Sequence, residues 1–173
     1  MSERLFVAIW LPESVSEALG RSLEPLRGEF QDIHWQPAKR WHITLAFLGE
    51  RDPGRESARF ATIPAIPAGP IRLAAGGRFG PVLWIGVEGK AWLGELAVAV
   101  QRVHHCAERR FRAHVTIGRS RTPVGARQIV HASRVLSSFT SPSWTPAEIT
   151  LVRSTTGPRP AYDVIARSPL QSS

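Results

Sequence analysis

His42 and Thr44 stand two residues apart in the run His42-Ile43-Thr44-Leu45-Ala46-Phe47-Leu48-Gly49, and the arrangement returns as His114-Val115-Thr116-Ile117-Gly118-Arg119. Alternate residues of a strand share a face, so in each run the imidazole and the hydroxyl point the same way. Folding demands neither residue type there, because a half-buried strand needs only apolar side chains on its core face. One copy alone reads as a strand histidine with satisfied hydrogen bonds. Two copies in similar apolar surroundings read as a pair of functional groups. Strict alternation also puts the small residues Ala46 and Gly118 on the faces of Thr44 and Thr116, where they would leave room for a ligand.

Two imidazoles facing each other across a cleft supply one acid and one base near neutrality, since an unperturbed pKa of about 6.5 lets both protonation states be populated. In-line displacement at phosphorus needs that pair. One group takes a proton from the entering nucleophile while the other gives a proton to the departing oxygen. Thr44 and Thr116 would donate hydrogen bonds to the non-bridging oxygens, where charge builds. The sequence shows no motif for a Ser or Cys nucleophile.

The elements that must position these groups alternate along the chain. Arg4 to Trp10 is a short apolar run of strand formers closed by Leu11-Pro12. From Glu13, the residues Val15, Ala18, Leu19, Leu23 and Leu26 follow helical spacing, with Ser14 as a cap and Gly28 as a stop. A short strand over 33–36 and a turn over 37–40 lead into the first motif strand, 41–48. A loop over 49–54, a helix over 55–63, a Pro-rich turn over 64–70 and a strand over 71–79 containing Gly76 and Gly77 complete the first half.

Val82 to Val87 then reads as a buried strand, and Leu93, Leu96, Val100 and Val103 as a helical stripe. The second motif strand spans 111–117, followed by a helix over 124–136, a strand over 148–154, a turn at Gly157-Pro158 and a last strand over 161–167. Strand, helix, motif strand, helix, strand thus occurs twice, which predicts two similar lobes that each bring one His-x-Thr to a shared cleft. By parity Arg119 points away from that cleft, unless a bulge or early strand exit at Gly118 swings it back. There its guanidinium could stack on a base or contact a phosphate.

With 173 residues, 43% of them hydrophobic, the chain can bury a real core as a single domain. The net charge of +8 favours an anionic partner, and among the 22 basic residues Lys occurs only at 39 and 90. Arginine suits phosphate through its planar fork of donors. The single cysteine, Cys106, excludes an intramolecular disulfide and a Cys-rich zinc site, and reads as a small buried hydrophobe. His104 and His105, next to it, suit the charge of a helix C-terminus better than a metal, while His34 and His131 have no motif around them. No metal and no cofactor are expected. The apolar run from Leu5 to Leu11 is too short for a membrane span or signal peptide, so the chain reads as soluble and cytoplasmic.

These residues resemble a family, the two-histidine phosphoesterases, in particular the RNA 2',3'-cyclic phosphodiesterases once described as bacterial 2'-5' RNA ligases. The resemblance covers nearly the whole chain and rests on RLFVAIWLP, HITLAFLGE, LWIGVE, AHVTIGR and the run from Leu151-Val152-Arg153-Ser154 through Gly157 to Tyr162. It implies a bilobal α+β fold with two pseudo-symmetric lobes, each an antiparallel sheet with outer helices, around a V-shaped central cleft. The lobes would form one domain over 1–173 from interleaved halves, about 1–80 and 81–173. It further implies metal-independent opening of a terminal 2',3'-cyclic phosphate to a 2'-phosphate, with His42 as proton donor to O3' and His114 as proton acceptor from water. Phe47 and Arg119, each five residues after its histidine, look like the positions that border the nucleotide in the family. Ala113 departs from the family, many of whose members carry Pro before the second histidine; no catalytic group is lost. The partner implied is RNA or an oligonucleotide ending in a 2',3'-cyclic phosphate, met by a monomer away from membranes. The same cleft would also serve 2'-5' ligation or a small cyclic nucleotide, such as an ADP-ribose 1'',2''-cyclic phosphate. A non-catalytic RNA-binding module is the alternative from another class.

Overall fold

The structure is a computed structural model that describes residues 2–89, 91–107, 109–157 and 160–172; Lys90 and Pro158 of the expected Gly157-Pro158 turn lie outside the described residues. In chain order the elements are β1 (Glu3–Trp10), α1 (Glu13–Glu29), β2 (His34–Trp35), a 3-10 turn (Ala38–Arg40), β3 (His42–Arg51), α2 (Pro53–Phe60), β4 (Pro67–Ala68), β5 (Arg72–Phe79) and β6 (Val82–Glu88). They continue with α3 (Ala91–Val103), β7 (His114–Arg119), α4 (Pro123–Val135), a second 3-10 turn (Leu136–Ser138), β8 (Glu148–Thr155), β9 (Ala161–Pro169) and β10 (Gln171–Ser172).

The fold is α+β and two-lobed. Seven strands run in the order β5-β6-β7-β3-β1-β8-β9, with β2 added beside β7. One wing is therefore β9-β8-β1-β3, built from both ends of the chain, and the other is β5-β6-β7 with β2, built from its middle. All their pairings are antiparallel. The wings meet where β3 and β7, the two motif strands, share a single residue pair, Ile43 with Val115. Both are fully buried, so the faces turned away from them, carrying the His and Thr residues, open onto the cleft.

The wholly apolar run of β1 is explained by burial on both faces. Leu5, Val7 and Ile9 enter the main core with Leu19, Leu23, Leu96 and Val100 of the helices, whereas Phe6 and Ala8 join Val152, Trp10, Tyr162 and Val164 in a second cluster on the cleft side. Helices α2 and α3 lie against the wing of β3, β8 and β9, and α4 against β5 and β6. The expected elements recur with shifted ends, for local reasons. Helix α1 starts after Pro12 with no side-chain cap from Ser14, and it runs through Gly28 before the Phe30 N–H closes it onto the Leu26 carbonyl. Strand β3 extends to Arg51, and α2 starts at Pro53 because the Asp52 carboxylate accepts the Arg55 N–H at 2.7 Å. The second motif strand begins only at His114. The small parallel pair β4-β10 has no hydrophobic pattern that would have announced it.

Candidate active site

Each motif strand carries one extra residue just after its threonine. Against β1, the pairs are Trp10 with His42, Ala8 with Thr44, Val7 with Ala46 and Phe6 with Phe47, leaving Leu45 unpaired. Against β6, the pairs are Gly86 with His114, Trp84 with Thr116, Leu83 with Gly118 and Val82 with Arg119, leaving Ile117 unpaired. A bulge resets the alternation, so the residue five after each histidine returns to the histidine's face. Phe47 and Arg119 accordingly line the cleft with His42, Thr44, His114 and Thr116. Parity alone had put Ala46 and Gly118 on the cleft face, and this is corrected. Ala46 is buried in the core, and a Cβ on Gly118 would lie 2.7 Å from Ile33 Cγ2. Gly118 serves the close approach of β2, while the bulge itself falls on Ile117.

The antiparallel register through Ile43 and Val115, extended one residue each way, sets His42 opposite Thr116 and Thr44 opposite His114. Both imidazoles are held alike. The His42 Nδ1 lies 2.7 Å from the Arg40 carbonyl oxygen, and the His114 Nδ1 lies 2.6 Å from that of Arg112. A carbonyl only accepts, so each Nδ1 carries the proton and each Nε2 is left as the working atom. Such an Nε2 is a base when the ring is neutral and an acid when it is protonated.

Their surroundings differ. The His42 ring is stacked on Phe6 at 4.9 Å between centroids, with Trp10 at 5.3 Å and Tyr162 edge-on at 5.6 Å. That enclosure strips water from the imidazolium and pushes the His42 pKa down to about 4; the Arg40 carbonyl pulls upward and the nearby His114 downward. The His114 ring meets Phe79 edge-on at 5.2 Å and Trp84 at 6.2 Å. Trp84 is seated over Gly77, where any Cβ would come within 2.2 Å of the indole.

The cleft is strongly basic. A cavity of about 420 Å³ around the two His-x-Thr pairs is lined by Arg4, Arg40, Arg119 and Arg121 and, among the described residues, by no carboxylate. Arg40 is fixed by the Pro160 carbonyl and by the Tyr162 ring, 5.0 Å from its guanidinium carbon. Arg4 and Arg40 were not assigned to the site by sequence, where the only signal was the arginine excess. Arg121, expected to matter little beside Arg119, also lines the cleft, as does Tyr162, the last residue of the run that carries the resemblance.

Elsewhere two expectations change. His104 is no exposed helix-end charge: it is fully buried beyond α3, with Nδ1 2.6 Å from Glu56 Oε2. Burial outweighs that carboxylate and lowers its pKa. Arg59 contacts the other Glu56 oxygen at 2.8 Å, which keeps this buried acid compensated. Cys106 is only partly buried and lines a cavity beside the cleft. His34 pairs with Arg119 at the β2 edge, and His131 packs against Phe30. Among the described residues no three His, Cys, Asp or Glu side chains gather as a metal cluster would require, and no helix is long and apolar enough to cross a membrane.

Comparison with known proteins adds a family and a fold. Residues 12–158 match the model of the 2'-5' RNA ligase superfamily. An RNA 2',3'-cyclic phosphodiesterase of Geobacillus stearothermophilus is 30% identical over 185 aligned residues, covering 95% of this chain. The chain spans 56% of that relative's length. The E. coli LigT structure with NADP+ superimposes with a TM-score of 0.78 at 24% identity, over 99% of this chain and 100% of that one. TT0787 of Thermus thermophilus follows at 0.75 and 24%, over 98% of both chains. At this identity the two structures establish a shared fold.

Proposed function

Because the chain belongs to the 2'-5' RNA ligase superfamily, we propose that it is a metal-independent RNA 2',3'-cyclic phosphodiesterase. The observation that carries the reading is the pair of histidines, each held at Nδ1 by a carbonyl two residues earlier, with each Nε2 free to act over a basic cleft. The name of the Geobacillus relative supports the substrate.

The reaction follows from these groups. The cyclic phosphate lies between the imidazoles, and Thr44 and Thr116 donate hydrogen bonds to its non-bridging oxygens. His114 Nε2 takes a proton from water as the water oxygen bonds to phosphorus. The P–O3' bond breaks opposite, and His42 Nε2–H gives its proton to O3', leaving a 2'-phosphomonoester and a 3'-hydroxyl. The two rings end with their protonation states exchanged and reset through solvent. In the free protein His42 is neutral at pH 7, since its pKa is about 4. The bound phosphodiester anion supplies the negative charge that favours its protonated form, so substrate binding takes up a proton. Phe47 and Arg119 border the nucleotide.

The test is incubation with RNA ending in a 2',3'-cyclic phosphate in the presence of EDTA. The expected product is the 2'-phosphate. A requirement for an added divalent ion, or a 3'-phosphate product, would overturn the assignment. The family's name also favours a second reading, in which a 5'-hydroxyl replaces water and a 2'-5' bond forms; an RNA with that hydroxyl in the same assay reveals it as a longer product.

A further inference from the structure

The catalytic cavity does not end at the histidines. A second cavity of about 560 Å³ opens from it, sharing Thr44, Phe47 and His114, and runs along the segment that joins α3 to β7. Ligand pockets commonly enclose about 300–1,000 Å³. Its described lining includes Arg51, Arg109, Arg110 and Arg112 and no carboxylate. Between the arginines stand aromatic rings: Phe47, 75% exposed, with Phe79 and Phe111. Arg112 lies over Phe79 at 5.8 Å, while Arg109 and Arg110 are exposed and make no ion pair among the described residues.

Two of the segment's described residues, Cys106 and Arg109, are tied to α3. The Gln101 side chain accepts the Arg109 N–H at 3.2 Å, and its main-chain carbonyl accepts the Cys106 N–H at 2.8 Å. The buried pair of His104 with Glu56 anchors the end of α3 just before it. An arginine row with interleaved aromatic rings is what a single-stranded nucleic acid needs: charge along the backbone and flat faces for its bases.

We propose that this second cavity holds the RNA chain on the 5' side of the reacting nucleotide, so that the protein selects oligonucleotide ends over free cyclic nucleotides. The inference rests on the hydrolase reading of the cleft and adds a direction to it. The terminal nucleotide occupies the cavity of Arg4, Arg119 and Tyr162, and the chain leaves past Phe47 toward Arg112, Arg110 and Arg109. A free nucleotide fills only the first cavity.

The experiment compares kcat/KM for a six-nucleotide RNA ending in a 2',3'-cyclic phosphate with that for 2',3'-cyclic AMP, in the wild type and in the double variant Arg109→Ala, Arg110→Ala. The wild type is expected to prefer the hexamer, and the variant to lose at least tenfold of that preference. Binding of the corresponding hexamer 2'-phosphate is read beside it. The plot of log K against log salt should flatten by about 1.4, about 0.7 per single-strand phosphate contact removed. Equal losses on both substrates would place the reacting nucleotide in this cavity and overturn the proposal, as would no change on either. A wild type that turns over neither substrate but binds the hexamer with that salt response sinks the hydrolase reading, and with it the direction of the chain, and leaves only the RNA contact at the second cavity.

Discussion

The two wings use one backbone device in two different settings. In both, a His-x-Thr is followed by an unpaired residue that returns the fifth position to the cleft, and in both a carbonyl two residues upstream fixes the ring. What differs is the neighbouring strand. Trp10 stands beside His42, where Gly86 stands beside His114. Phe6 and Tyr162 complete an aromatic enclosure on one side, while the other ring meets Phe79 and Trp84 at their edges and angles. Backbone geometry thus sets where each Nε2 is aimed, and packing makes His42 hold a proton less readily than an ordinary histidine. Symmetric placement with unequal enclosure distinguishes the two rings, and His42 can serve as the proposed acid only once the bound phosphate anion offsets its lowered pKa.

The most severe way to break the comparison is to remove either ring. His42→Ala and His114→Ala are each expected to lower kcat by at least about a thousandfold, with the double variant little worse than either, because in the proposed reaction the two act as one proton-transfer unit. Steady-state kinetics on the cyclic-phosphate RNA reads this. Losses that multiply would mean that the imidazoles act independently. Thr44→Val and Thr116→Val keep the side-chain shape and remove one donor each, for an expected fall in kcat of about 10- to 100-fold. If only one of them lowers kcat, the hydroxyls do not share the phosphate.

The fifth positions give a smaller effect of another kind. Phe47→Ala and Arg119→Ala are expected to raise KM about three- to tenfold with kcat nearly unchanged, since in the proposed reaction they border the nucleotide and move no proton. Phe47 is 75% exposed, so its removal should leave the melting temperature within about a degree. A fall in kcat with KM constant would show that these groups act on the reaction itself.

The sequence named the paired groups of the cleft more fully than it described the cleft's shape. His-x-Thr pairs are legible because residue type and a spacing of two suffice to put both groups on one strand face. The bulges that bring Phe47 and Arg119 back are not, because Leu45 and Ile117 look like ordinary core residues and reveal themselves only against the registers of β1 and β6. Gly118 drew the eye for the wrong reason, its missing Cβ being needed where β2 passes. The same limit hid the pairing of Glu56 with His104, 48 residues apart, and Arg4, Arg40 and Arg121, which converge on the cleft from three separate segments. Helix and strand interiors were readable from their periodicity, whereas their ends were decided by caps such as Asp52 and by the packing of neighbours.

The smallest predicted effect tests the asymmetry directly. If enclosure by aromatic rings keeps His42 neutral, then Trp10→Ala makes its wing resemble the other and should raise the His42 pKa from about 4 toward the ordinary value for histidine. Titration of the ring Cε1–H signal by NMR follows it, with the His114 variant used to assign the resonance. Stability provides a second reading, and the sign is fixed. In the folded wild type His42 stays neutral down to about pH 4, while in the unfolded chain it takes a proton near 6.5. Between those values the unfolded state binds more protons, so this residue makes stability fall as pH is lowered through the window and adds no further loss below it. In Trp10→Ala the window narrows from its acid end. The variant should be less stable at pH 7, having lost a partly buried ring and its hydrogen bond to Thr150, yet lose less of its remaining stability between pH 6.5 and 4 than the wild type does. Denaturant titrations at both pH values measure the difference. An unchanged His42 titration in this variant would mean that the repulsion from His114, rather than the aromatic wall, holds the proton off.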